Sequence, residues 1–220
     1  MSDWFPLWLS LRVSLFATVV AAVLGVSLAY GLAKWRSRWS GIVEAAATLP
    51  IVLPPTVLGY YLLTLLGSRS TLGGAIESVF GRPIVFTEGG AVVAATISAL
   101  PFIVRAARAA ISNVDSRVEE SARVMGLPEW RVALRVTLPL ASRGVGAGVA
   151  LGFARALGDF GATVMVAGNI PGQTQTLPIA VYDAVQAGDE ATARTGSLVL
   201  GVIAVAVLLL ITQVFARRPS

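Results

Sequence analysis

The residues that could do chemistry are few, and the missing types limit the function. The 220-residue chain contains no Cys and no His, which excludes a thiol nucleophile, an imidazole base and a zinc site built from these ligands. Its single Lys is Lys34, followed by Trp35, so the chain has no Gly-Lys-Ser/Thr phosphate loop. We therefore expect no catalytic residue, no metal site and no cofactor.

One pair of opposite charges falls inside an apolar segment. Arg155 and Asp159 are four residues apart, so on a helix they lie one turn apart and can form an ion pair. Arg155 lies roughly 16 Å along a helix from Gly144, near the middle of a bilayer. Charges at that depth are costly and are therefore functional candidates. Two interpretations stay open: a structural ion pair, or an arginine that faces a cavity and eases the passage of a dianion.

The elements that carry these residues are predicted to be membrane helices. The chain is 55% hydrophobic and 13% charged, whereas soluble domains carry about 25% charged residues. A spanning helix needs about 20 apolar residues, and five segments reach or approach that length: 13–33, 45–66, 89–104, 144–168 and 195–216. The first run is too long for a cleaved signal peptide. We predict an all-α integral membrane protein with about five transmembrane helices in a single domain, 1–220.

Basic residues orient the predicted spans, because Lys and Arg concentrate on the cytoplasmic side. Of the 17 basic residues, four lie in one set of connections, Arg155 lies within a span, and twelve lie in the other set. The twelve are Lys34, Arg36, Arg38, Arg105, Arg108, Arg117, Arg123, Arg131, Arg135, Arg143, Arg217 and Arg218. We predict an outside N-terminus and a cytoplasmic C-terminus. The formal charge of +5 thus reflects topology, and we expect no nucleic-acid partner.

Two connections have a pattern of their own. The predicted cytoplasmic loop, 105–143, is polar but organised: Ser116 and Glu119 fit a capping box, Gly126 fits a helix stop, and Pro139 is expected to end a second short helix. This pattern predicts a helix-turn-helix across the cytoplasmic surface, either as an amphipathic loop without a partner or as a docking element. The outer segment 177–185 is too short to cross a membrane alone. It is expected to form a helix that lies at the outer face or dips into it, with a further crossing as the alternative if it joins a neighbouring segment.

Part of this loop resembles the cytoplasmic signature of ABC importer permeases. The family pattern is Glu-Ala-Ala, three residues, Gly, nine residues and Ile-x-Leu-Pro. The matching residues are Glu120, Ser121, Ala122, Gly126, Leu138 and Pro139. Ser121 stands in place of an Ala, and Val136 in place of the Ile. The resemblance implies that this loop docks into a groove on a separate ATPase subunit, which alone hydrolyses ATP. It implies a transport subunit without enzymatic activity.

Three further segments, 49–59, 155–163 and 167–178, look like permeases for molybdate and tungstate or for sulfate and thiosulfate, and the last is closer to the molybdate branch. The resemblance implies an oxyanion importer in a prokaryotic cytoplasmic (inner) membrane, with molybdate or tungstate favoured and sulfate or thiosulfate as the alternative. It also implies three partners: two copies of the ATPase, an extracytoplasmic substrate-binding protein, and a second copy of this chain.

The residues implied to lie on the translocation path are Pro54, Pro55, Thr56, Arg155 and Asp159. Prolines inside an apolar segment free backbone carbonyls that need protein or a wet cavity as partner, although packing kinks explain many prolines. An ion-coupled secondary transporter is the other class considered, and it would use Asp159 as its coupling site.

Four small residues recur every four positions on one face of the fourth segment: Gly144, Gly148, Gly152 and Ala156. Small residues at this spacing let two helices approach closely. The pattern predicts helix packing, either within the subunit or across a dimer.

Overall fold

Every regular element in the described part of the chain is helical. The computed structural model describes residues 4–34 and 39–216, without the side chains of 211, 212 and 214–216. Arg36, Arg38, Arg217 and Arg218, used above to predict the orientation, lie outside the described residues. The helices are α1 (Phe5–Lys34), α2 (Ser40–Val52), α3 (Pro55–Leu66), α4 (Thr71–Phe80), α5 (Glu88–Ser112), α6 (Ser116–Val124), α7 (Glu129–Val132), α8 (Leu138–Leu157), α9 (Gly161–Ala167), α10 (Leu177–Gln186) and α11 (Glu190–Ala216).

Four described helical stretches are long and apolar enough to span a membrane: α1, α5, the stretch Glu129–Leu157, and Glu190–Leu210 within α11. The pair α2 and α3 adds a fifth if its two arms, bent by 114°, form one broken span. The prediction of an all-α membrane protein is thus confirmed. The helices differ in extent from the predicted segments: α5 continues to Ser112, so Arg105 and Arg108 lie on a helix and not in a loop.

The second predicted segment, 45–66, is broken at its prolines. Leu53 and Pro54 are extended, with ψ of 137° and 135°, because a residue that precedes a proline is disfavoured in the helical region. Pro55 then occupies the first position of α3, where a missing N–H costs nothing. Pro50 lies inside α2 without ending it.

The fourth predicted segment, 144–168, is also not one helix. Helix α8 ends at Leu157 and α9 begins at Gly161, which leaves three residues between two helices. The prediction that Pro139 ends a short helix was wrong. A π-helical segment, Ala133–Thr137, joins α7 to α8, and this wider turn lets the helix continue through a proline that would clash with a regular turn.

Helices α1, α5 and α8 form the centre of the bundle through small side chains. Their shared cluster includes Ala17, Ala95, Ala99 and Ala156, each at most 5% exposed. A Cβ added at Gly148 would lie 2.7 Å from the Cβ of Ala106 on α5. The predicted stripe of small residues therefore packs within the subunit, which decides between the two alternatives left open above.

The first test concerns this packing. We expect Gly148→Leu to lower the free energy of unfolding by about 1–3 kcal/mol, because overpacking forces α5 and α8 apart. The matched control is Gly201→Leu on α11, where an added Cβ meets nothing within 4 Å. Thermal unfolding in detergent would check this, and equal destabilisation by both variants would contradict the assigned packing.

Candidate functional site

The two helix breaks meet at one cavity of about 460 Å³. Residues of both breaks and of α5 form its wall: Pro50, Ile51, Leu53, Pro55, Thr56, Phe102, Arg155, Gly158, Asp159, Phe160 and Gly161. Four of the five predicted path residues are thus brought together. Pro54 is the exception, since it lies between α2 and α3 but not in the wall. Sequence reasoning missed Phe102 and Phe160, because aromatic residues in a membrane segment carry no periodic signal of a cavity.

A glycine allows the two breaks to touch. A Cβ added at Gly161, the first residue of α9, would lie 2.8 Å from the Cβ of Pro55, the first residue of α3. Further along the same pair, a Cβ at Gly59 would lie 2.6 Å from the Cβ of Met165. Both distances are too short for a real side chain. Helices α3 and α9 can approach this closely because each of the two contacts has a glycine on one side, and the contact at Gly161 lies in the cavity wall.

Asp159 holds the second break in place. One oxygen, Oδ1, lies 2.9 Å from the Nη1 of Arg155 and accepts a hydrogen bond from the hydroxyl of Ser98 (3.2 Å). The other, Oδ2, accepts from the backbone N–H and the hydroxyl of Thr163 (3.0 and 2.8 Å). The carboxylate thus satisfies a free donor in the first turn of α9, as a capping residue does.

The charges of this pair differ in exposure. The side chain of Asp159 is 0% exposed, whereas that of Arg155 is 26% exposed and reaches the cavity wall. Because the two charges neutralise each other, the cavity presents a polar guanidinium without a strong net field. Such a surface can attract an anion weakly and release it.

The wall of the cavity also contacts α10, the helix that the sequence predicts for the outer face. The rings of Phe160 and Tyr182 are 4.8 Å apart between centroids. At its start, α10 is fixed to α1 by a buried hydrogen bond from the backbone N–H of Leu177 to the hydroxyl of Ser10 (2.7 Å). Asp183 accepts from the side chains of Asn169 (2.7 Å) and Gln175 (2.8 Å). The predicted helix over 177–185 is thus observed as α10, and these contacts connect it to α1 and to the cavity wall.

The second candidate site is the helix-turn-helix formed by α6 and α7. Gly126 has a φ of +84°, which favours glycine. Its backbone N–H donates to the carbonyl of Arg123, and the N–H of Leu127 donates to that of Ala122. These two bonds are those of a Schellman motif. The predicted helix stop at Gly126 is therefore confirmed.

The predicted capping box at the start of α6 is wrong. Asp115 is the N-cap, and its side chain accepts from the backbone N–H of Arg117 at 2.9 Å. Ser116 is already the first residue of the helix. The side chain of Glu119 points into the protein instead, because the ammonium of Lys34 is a stronger hydrogen-bond donor than the backbone N–H of the cap.

Glu119 is a buried carboxylate shared by three elements. Its two oxygens accept from the Nζ of Lys34, the last residue of α1, at 2.6 and 2.5 Å. The hydroxyl of Thr137, in the π-helical segment, also donates to it at 2.6 Å. Burial would raise the pKa of Glu119, but the hydrogen bonds from Lys34 and Thr137 and the charges of Lys34 and Arg123 outweigh it and lower that pKa below its ordinary value of 4.5. The carboxylate is therefore ionised at neutral pH.

The residues of the loop signature do not all lie on the outward face of α6. Ala122 is buried within the chain, so its small size serves the subunit's own packing. Glu120 and Ser121 are exposed, as are the apolar side chains of Val124 (89%) and Met125 (73%). Leu138 is half-buried against the core, and Pro139 is exposed. This face combines a free carboxylate with apolar side chains, which is a composition suited to a protein partner.

Comparisons with known proteins find matches over most of the chain. Residues 21–218 match the family described as "Binding-protein-dependent transport system inner membrane component". The chain is 40% identical over 178 residues to the "Molybdenum transport system permease protein ModB" of Escherichia coli (strain K12), covering 80% of this chain and 77% of that protein. It is 33% identical over 168 residues to the "Probable sulfate transport system permease protein cysT" of Chlorokybus atmophyticus, covering 76% and 57%.

The fold is similar to a solved structure described as "Inward facing conformations of the MetNI methionine ABC transporter". The TM-score is 0.75 at 17% identity, and the match covers 96% of this chain and 93% of that chain. At this identity the likeness concerns the fold alone.

The second test concerns the buried ion pair at the cavity. We expect Arg155→Gln to lower the free energy of unfolding by about 3 kcal/mol, because it leaves a fully buried carboxylate without its cation. Asp159→Asn should lower the free energy of unfolding by less, because the charge of Arg155 is partly exposed at the cavity. Thermal unfolding in detergent would measure both variants. A double variant should recover part of the loss, and a larger cost for Asp159→Asn alone would contradict this assignment.

Proposed function

Because the chain belongs to the family of binding-protein-dependent transport system inner membrane components, we propose that it forms the transmembrane pathway for molybdate or tungstate in an ABC importer. The family is that of transport subunits of the bacterial inner membrane, so the resemblance noted from the sequence is confirmed. ATP hydrolysis takes place on a separate subunit. This chain supplies a single transmembrane domain, with its N-terminus outside and its C-terminus in the cytoplasm.

One observation carries the proposed pathway: Pro55, Thr56, Arg155 and Asp159, far apart in sequence, line the same cavity at two helix breaks. Irregular backbone at membrane depth is tolerated where it is buried in protein or lines a wet cavity. Helix α2 lines one side and has no fully buried residue. We infer that a second copy of the chain closes this side, so that a homodimer encloses the path.

The substrate is inferred from the relatives. The match to ModB reaches 40% identity and covers 77% of that protein, whereas the match to the sulfate relative is weaker and covers 57% of it. The pairing of Arg155 with Asp159 leaves a weakly attractive cavity, which favours passage and release of a dianion over tight binding. Selectivity then rests mainly with an extracytoplasmic binding protein, for which the segment around α10 is the proposed docking face.

An ion-coupled secondary transporter is less well supported. Its coupling acid would have to be Asp159, and both oxygens of that carboxylate are already occupied by Arg155, Ser98 and Thr163. A coupling ion would need to displace those partners at each cycle.

The proposed ATPase-docking surface is the outward face of α6 with the turn at Gly126. The helix-in-groove mode of recognition needs exposed apolar anchors on a rigid helix, and Val124 and Met125 provide them. Glu120 and Ser121 are proposed as the polar contacts beside these anchors. Ala122 and Leu138 would shape the loop from within the subunit, whereas the exposed Pro139 would lie at the end of the loop.

The third test separates docking from folding. We expect Gly126→Asp to abolish co-purification with the ATPase and vanadate-sensitive ATP hydrolysis, because it strains the turn and adds a charge to the docking surface. The matched control is Gly81→Asp at the end of α4, where φ is +71° and an added Cβ also meets nothing within 4 Å. Loss of co-purification in both variants, or in neither, would contradict the docking surface.

The fourth test concerns the substrate. In proteoliposomes that contain the full complex, the cognate binding protein loaded with molybdate or tungstate should stimulate ATP hydrolysis and uptake. Sulfate at the same concentration should not. Stimulation by sulfate alone would assign the chain to the sulfate branch, although its role as a permease subunit would stand.

A further inference from the structure

The most constrained polar group outside the cavity is the carboxylate of Glu119. Its side chain is 2% exposed, whereas that of Lys34 is 32% exposed. Between them, Lys34 and Thr137 donate three hydrogen bonds of 2.5–2.6 Å to it, and a nitrogen of Arg123 lies 3.7 Å away. A buried charge is expensive unless it is paired and hydrogen-bonded. Glu119 meets that requirement only while α1, α6 and the π-helical segment keep their relative positions.

Each of the three elements leads to another part of the molecule. Helix α6 carries the proposed docking surface. The π-helical segment continues into α8, whose far end carries Arg155 at the cavity. Helix α1 runs from Lys34 to the opposite end of the bundle, where Ser10 holds the start of α10. The carboxylate therefore connects the proposed docking surface to the cavity and to the start of α10.

The choice of a carboxylate has a physical reason. An apolar side chain at this position could pack equally well in several registers, because apolar contacts are not directional. Two carboxylate oxygens that accept from a particular lysine and a particular hydroxyl define one register. Loss of one partner leaves an uncompensated charge, which costs far more than a changed apolar contact.

We propose that Glu119 is a positioning residue for transport, which fixes α6, the end of α1 and the start of α8 as one rigid lever through Lys34 and Thr137. The inference rests on the proposed function. Movement of α6 by the ATPase is passed to the cavity and to the outer face only while this joint is intact. Without this joint, α6 can still bind the ATPase, but its movement is not transmitted to α1 and α8.

The test compares variants of the full complex, reconstituted with ATPase and binding protein in proteoliposomes. We expect Glu119→Gln to keep co-purification with the ATPase and basal ATP hydrolysis within about twofold, while molybdate transported per ATP falls at least about fivefold. Lys34→Gln should lower the molybdate transported per ATP further, because it leaves the buried charge of Glu119 without its main partner. Lys34→Arg, which keeps the positive charge, should keep transport per ATP within about twofold of the unmodified complex. Glu190→Gln, at the exposed start of α11, is the control.

A second measurement does not depend on transport. The chain has no Cys, so spin labels can be placed at Gly31→Cys on α1 and Val124→Cys on α6, both exposed positions. The distance distribution between the labels in the solubilised chain should be narrow with Glu119 and with Lys34→Arg, and broad with Glu119→Gln.

These outcomes separate the two claims. An unmodified complex that neither binds the ATPase nor responds to a loaded binding protein would overturn the proposed function. If that complex transports molybdate, either of two results for Glu119→Gln would overturn the proposed role of the joint. One is normal transport per ATP, and the other is a label distance distribution as narrow as that with Glu119. Equal loss of basal hydrolysis and of co-purification would also overturn it, since the residue would then only hold the fold together.

Discussion

The structure depends on one constraint: backbone N–H and C=O groups inside a bilayer need partners within the protein. Continuous helices meet this need, but α3 and α9 begin where a helix has been interrupted. The chain resolves both interruptions at one place. Gly161 lets the start of α9 approach the start of α3, and Asp159 accepts the backbone N–H of Thr163. The breaks can therefore face a cavity without leaving the backbone groups of these first turns exposed to lipid.

Two buried carboxylates stand at the two ends of the stretch that runs from the π-helical segment through α8. Glu119 accepts a hydrogen bond from Thr137 near the start of this stretch, and Asp159 forms an ion pair with Arg155 near its end. Each is less than 3% exposed and each has a basic partner that retains some exposure. A charge held in this way fixes geometry at a cost in stability. Such a cost is expected where a protein must keep precise positions while it moves, as we propose for the joint at Glu119 and for the pathway at Asp159.

Several features were predictable because they depend on local composition. Apolar runs of spanning length identified the membrane helices, and the spacing from Glu120 to Pro139 singled out the loop that we propose as the docking element. Gly126 was predicted as a helix stop because a positive φ favours glycine in any context. The break at residues 158–160 was missed, because one glycine beside a charged residue is a weak local signal. The passage of the helix through Pro139 was missed because it depends on a π-helical turn that leaves no mark in composition.

Glu119 shows most clearly where local reasoning fails. Three residues after Ser116, it matches the pattern of a cap, but its partner Lys34 lies 85 residues away in the sequence. The sequence by itself determined that the chain is an all-α membrane protein with apolar segments of spanning length, and it named the candidates for docking and passage, because hydropathy and spacing are properties of single segments. Only the tertiary structure decided that Ala122 faces inward, that Val124 faces outward, and that four distant residues share a cavity. These outcomes depend on which helices pack together, and that is settled by close contacts between residues far apart in the chain.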